Sequence, residues 1–159
     1  MNQEALKKGP LYVVDFLPEQ VPEGSRGQFF AVEAYYLQVT ENWSIYDAFL
    51  RILLKLNCYY DFDVQGKKRL KHNPDPEKLE RWVLALSDGE RERLTIFLNG
   101  GKSLLELQRN SLCMGVFCPD EHLKGLLARL AAAEGLYFWQ NENWNGADDA
   151  FASEEESID

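Results

Sequence analysis

One helical stripe occurs twice in this chain, 44 residues apart. Leu79, Trp82, Val83 and Leu86 return as Leu123, Leu126, Leu127 and Leu130, both at the three-and-four spacing of an amphipathic helix. Each copy starts at a proline, Pro76 after Asp75 and Pro119 after Cys118, and stops at a glycine, Gly89 and Gly135. Proline is tolerated at the first helical position and glycine ends helices, so both bounds have a physical cause. Each helix also lies between two segments that read as strands. A repeated strand–helix–strand unit admits few folds, because both helices must bury their stripes on the same kind of sheet.

The strand candidates are Leu11–Leu17, Cys58–Val64, Leu94–Leu98, Leu112–Phe117 and Leu136–Trp139. The second alternates, with Tyr59, Asp61 and Asp63 on one face and Tyr60, Phe62 and Val64 on the other. Ser103–Gln108 fits a short helix or a hairpin strand equally well. Gln28–Gln38 favours a short helix over a strand. Ser44, with Asp47 three residues on, opens a helix whose stripe is Ile45, Phe49, Ile52, Leu53 and Leu56. The expectation is an α+β fold with a mixed or antiparallel sheet of about five strands and three to four helices. Its finer form is a split β-α-β, ferredoxin-like pair with residues 1–57 as an N-terminal extension. Residues 1–139 are expected to form a single domain.

Charge separates the chain into two parts. Residues 140–159 hold seven acids, Glu142, Asp148, Asp149, Glu154, Glu155, Glu156 and Asp159, and no Lys or Arg. They supply most of the net charge of −9, and residues 1–139 are nearly neutral. This segment reads as an acidic, flexible tail. Within it Trp144, Phe151 and Ile158 are spaced seven and seven, the pattern of an acidic segment that folds onto a groove; the competing reading packs Trp144 back on the domain edge. An acidic chain argues against nucleic acid or an anionic membrane as partner and favours a basic protein. The run Lys67-Lys68-Arg69-Leu70-Lys71-His72 reads as a solvated loop. No apolar run reaches 18 residues and the first residues lack the apolar stretch of a signal peptide, so a cytoplasmic location is expected. Cys58, Cys113 and Cys118, an odd count, then read as reduced, buried thiols.

Motifs for catalysis are scarce. Gly101-Lys102-Ser103 resembles the end of a phosphate-binding loop, but Ile96 stands where that pattern needs glycine. Cys118 and His122 are one helical turn apart, next to Asp120 and Glu121, whose charge favours the protonated thiol. Asp15, Asp61 and Asp63 are strand carboxylates that would need to meet to act as an acid–base pair or bind a metal. With two histidines in all, no catalytic residue, metal ligand or cofactor is assigned. Tyr35-Tyr36, Tyr59-Tyr60 and Trp43 exceed what the core needs and suggest a binding face. The chain is therefore expected to be a non-enzymatic protein–protein interaction domain. Trp144, Asp148, Asp149, Phe151, Ile158, Tyr59 and Asp61 are its candidate partner-binding residues. One alternative is an immunity-type protein neutralising a basic toxin or nuclease. Another is a small enzyme or small-ligand regulatory domain using Cys118 or the strand carboxylates.

Overall fold

The computed structural model describes residues 1–38 and 44–146. Along the chain run α1 (Gln3–Lys7), β1 (Leu11–Asp15), α2 (Phe29–Leu37), α3 (Ile45–Leu56), β2 (Phe62–Gln65), β3 (Leu70–His72), α4 (Pro76–Ser87), β4 (Arg93–Leu98), β5 (Ser103–Gln108), β6 (Cys113–Phe117), α5 (Glu121–Ala133) and β7 (Tyr137–Gln140). The strands form one sheet in the order β3-β2-β4-β5-β6-β1-β7, and every neighbouring pair is antiparallel. The fold is α+β, with seven strands among the described residues where about five were expected and five helices where three to four were. Ser103–Gln108 is the hairpin partner of β4, not a helix. The second added strand, β3, is three residues long and lies inside the basic run that reads as a loop.

Both helical units behave alike. The strands β3 and β4 flank α4 in sequence and run parallel, with β2 antiparallel between them. β6 and β7 flank α5 and run parallel, with β1 between them. The two units lie on either side of β5, and the strand inserted in each comes from an earlier part of the chain. Segment Cys58–Asp61, read above as strand, is instead the turn after α3; β2 begins at Phe62.

Helices α3, α4 and α5 cover one face of the sheet. Their stripes bury Phe49, Ile52, Leu53 and Leu56, then Leu79, Trp82, Val83 and Leu86, then Leu123, Leu126 and Leu127, against Phe62, Val64, Ile96, Leu105, Met114 and Val116. Side-chain caps fix where each helix starts. Ser44 accepts from the Tyr46 amide, Asp75 from Lys78 at 2.9 Å and Asp120 from Leu123 at 2.8 Å. Asp120, not Cys118, is therefore the cap of α5, and Pro119 stays outside the helix.

The opposite face carries a smaller cluster, Leu11, Val13, Phe97, Leu104 and Phe117, with Leu6 and Trp144 packed on it. Glu106 also points to this side, from the middle strand, and is fully buried. Lys7 of α1 reaches it at 2.8 Å, Arg93 Nε stands at 3.8 Å, and Thr95 and Gln108 each donate to it at 3.3 Å. A buried carboxylate persists only with such partners. Among the described residues no helix is long and apolar enough to cross a membrane.

Candidate binding site

Helix α2 departs from the rule that a helix in a folded chain hides one face. It has no buried residue, and its sequence, FFAVEAYYL, is apolar but for Glu33, with Phe29, Glu33 and Leu37 half-buried. Phe30 is 81% exposed and Tyr35 69%, with Val32 and Tyr36 also on the surface. The helix is weakly specified locally: Gln28 at its N-cap makes no side-chain cap bond, and neither end carries a charge that complements the dipole. Nine residues rich in aromatics are too few to be helical alone. What holds α2 is Phe16, whose ring lies 5.4 Å from Tyr36 and 6.4 Å from Phe29, together with Leu37 against the core.

Beside α2 lies a cleft of about 520 Å³, bounded by the loop 17–27, Phe29, Phe30, the end of β1 and Trp139 of β7. The loop contains Pro18 and Pro22, which have no N–H to donate to a ladder, so β1 is not continued through it. Trp139 is fixed by its indole N–H, which donates to the Leu17 carbonyl at 3.0 Å. Asp15 lines the cleft, and Glu19 and Glu23 lie around it; no lining residue is basic. The Asp15 carboxyl is pushed up to about 6, chiefly by burial and to a smaller extent by Glu33 on α2. The amides of Phe16 and Leu17 and the Trp139 indole pull in the other direction.

That raised value has a sign. A carboxyl harder to ionise folded than unfolded leaves stability intact below about pH 4, and stability is lost as pH rises through about 6. Asp15→Asn is therefore expected to stabilise the chain at pH 7.5 by about 1–2 kcal/mol, allowing for the water the side chain still meets, and to do nothing at pH 4. Thermal unfolding at the two pH values checks this. Equal effects at both would mean that Asp15 is ionised without penalty.

The other candidate residues are dispersed. Trp144 is occupied inside the chain: its ring meets Phe117 edge-on at 5.6 Å and its N–H donates to the Lys7 carbonyl at 3.0 Å. Residues 141–146 thus pack against β1 and α1, where the sequence suggested a tail. Asp148, Asp149, Phe151 and Ile158 lie outside the described residues, as does Trp43. Tyr59 is exposed in the turn before β2, and Asp61 accepts from Asn73 at 2.7 Å. Strands β4, β5 and β6 separate β2 from β1, so Asp61 and Asp63 stand at least about 19 Å across the sheet from Asp15. The strand carboxylates do not meet. Asp63 instead pairs with His72 across β2 and β3, at 2.9 Å. A second, basic hollow at that edge is lined by Arg69, Lys71, His72 and Lys78. Two of its lysines lie over the Trp82 ring, at 5.5 and 5.9 Å.

The Cys118–His122 arrangement is not formed. His122 Nδ1 lies 3.0 Å from the Tyr60 hydroxyl, while the Cys118 thiol points at the Leu6 carbonyl and burial raises its pKa. Cys58 is exposed and Cys113 and Cys118 are half-buried, so only part of the expectation of buried thiols holds. Cys118 also sits at a φ of +56°, unusual for a residue other than glycine, and a Cβ on Gly9 would collide with its sulfur. Gly9→Ala is expected to cost about 1–3 kcal/mol, and Cys118→Ala in the same chain to recover most of it. A double-mutant cycle by urea unfolding measures that coupling; additive effects would place the strain elsewhere. Lys102 and Ser103 lie at a tight β4–β5 turn with Asn99, Gly100 and Gly101 all at positive φ, so no phosphate loop exists there. Among the described residues no three His, Cys, Asp or Glu side chains group as metal ligands. Compared with protein-family models, curated proteins and solved structures, the chain matches none.

Proposed function

We propose that this chain is a protein-binding module that engages a cationic segment of another protein across α2 and the adjoining cleft. The observation that carries the reading is α2 itself, a helix with no fully buried residue and with the Phe30 and Tyr35 rings turned to solvent. Exposed aromatic side chains such as these anchor interfaces, and a contiguous apolar patch on a folded chain marks a contact surface. The acids beside it, Asp15, Glu19, Glu23 and Glu33, set the sign of the partner. They also disfavour a second copy of this chain, which would bring like charges together. A basic toxin or nuclease is one kind of protein that offers such a segment. The reading moves the interface from the acidic C-terminal residues to α2, and keeps from the sequence the protein-binding class, the basic partner and the surplus tyrosines Tyr35 and Tyr36.

The test is a panel of fluorescein-labelled 15-residue peptides, cationic and charge-reversed, each with one aromatic residue, titrated by anisotropy with wild-type and Phe30→Ala/Tyr35→Ala chains. Cationic peptides are expected to bind, more weakly at high salt. The double variant should lose at least about 30-fold, as one lost anchor of about 2 kcal/mol would give, with its unfolding curve unchanged. Equal binding by wild type and variant, preference for acidic peptides, or α2-dependent self-association in place of peptide binding would each overturn the proposal.

A further inference from the structure

We infer that the cleft is a receptor for one arginine side chain of that partner, its guanidinium seated against Asp15 and its stem lying along Trp139 and Phe29. The inference rests on the cationic-partner reading and adds which chemical group enters and where. An ionised carboxylate offers about four acceptor positions. Phe16 N takes one on Asp15 at 2.8 Å, and the Leu17 amide and the Trp139 indole draw on two more, which leaves about one. Among the described residues no Lys, Arg or His forms an ion pair with Asp15. The acids that face it or share its cleft are Glu33 from α2 and Glu19 and Glu23 from the loop, while Cys113 from β6 and Tyr137 from β7 pair beside it in the sheet. Arg26 stands in the same loop between Ser25 and Gly27 but outside the lining. The cleft therefore holds a partly dehydrated carboxylate with spare acceptor capacity and, among its described lining residues, no cation.

The walls select between cations. Trp139, Phe29 and Phe30 line the same space, and aromatic faces attract a planar, weakly hydrated guanidinium more than a compact, strongly hydrated ammonium. A volume of about 520 Å³ takes a whole extended side chain, which a lone ammonium would leave mostly to water.

The experiment is an NMR titration of the full ¹⁵N-labelled chain with N-acetyl-arginine amide at pH 7, read at the Trp139 indole N–H and the Phe16 and Leu17 amides. Saturable shifts confined to the cleft are expected, with N-acetyl-lysine amide several-fold weaker and the uncharged citrulline amide silent. Moving from pH 7 to 5 should weaken the arginine amide about tenfold, because a carboxyl titrating near 6 passes from mostly ionised to mostly protonated. Asp15→Asn should lose at least tenfold at pH 7 and the pH dependence with it, and Glu23→Gln at the rim two- to threefold. Citrulline amide binding as well as arginine amide, an unaffected Asp15→Asn, or no shift in the cleft would overturn the inference. Tyr35→Ala, outside the cleft lining, separates the two readings. Cationic peptides that bind through α2 while the arginine amide stays silent overturn the arginine pocket alone. An arginine amide that binds while peptides ignore α2 overturns the interface alone.

Discussion

Glu106→Ala is expected to lower the stability of the chain by about 3–5 kcal/mol, the usual cost of removing one partner from a buried charge cluster. At this chain length that is a fall in melting temperature of roughly 6–20 °C. Glu106 is fully buried on the middle strand, and two buried cations, Lys7 and Arg93, are oriented toward it. Alanine withdraws the anion from both and takes an acceptor from Thr95 and Gln108. Replacing Lys7 and Glu106 together, by Met and Leu, should cost less than Glu106→Ala, because one of the two cations leaves with the anion and only Arg93 loses its counter-charge. Urea unfolding of the three chains measures the difference, and 0.5 M salt should change it little, since buried pairs are poorly screened. A cost below 1 kcal/mol for Glu106→Ala would mean that water reaches the cluster. The cluster also ties α1 to the centre of the sheet, so deletion of residues 1–8 should resemble Glu106→Ala.

Phe49→Ala is expected to cost about 3–5 kcal/mol and Phe30→Ala no more than about 0.5 kcal/mol. Both are phenylalanines on helices, and the contrast isolates what the helices are for. Phe49 is 1% exposed, beneath α3 and edge-on to Tyr46, whose hydroxyl donates to the Gln108 carbonyl. Truncation there leaves a cavity that the closely packed sheet cannot close. The Phe30 ring meets mainly water and the edge of Phe29. Equal losses on the two helices would make α2 a core element and remove the ground for an interface there.

The sequence carried the main helices because each combines a stripe, a cap and a stop: α3, α4 and α5 all begin within a residue or two of their expected starts. The strand β3 was illegible, since its three residues, Leu-Lys-His, have too little apolar content to show a period of two, and it forms only because β2 offers an edge. α1 was missed for a similar reason: five residues hold their place through the Lys7–Glu106 contact, which no local pattern announces. The site was half legible. An aromatic surplus at Tyr35 and Tyr36 was visible, but a helix apolar at all but one position reads as core until the sheet is seen to be covered by other helices. Asp15 was visible as a strand carboxylate. Its isolation from Asp61 follows from strand order, which pairs residues more than 100 positions apart and has no local signature.

The position of β1 also decides when this chain can finish folding during its own synthesis. Leu11 pairs with Phe117, and Tyr12 with Gln140, so the first strand to leave the ribosome has no neighbour in the sheet until the last third of the described chain has followed. At roughly 5–20 residues per second that is a wait of several seconds. Throughout it Val13, Val14 and Phe16 stand open to any nascent-chain chaperone, while the β2–β5 half can already zip. A stalled or truncated product ending before residue 113 would contain every residue of the aromatic helix and none of the strands that pair with β1 in the finished sheet.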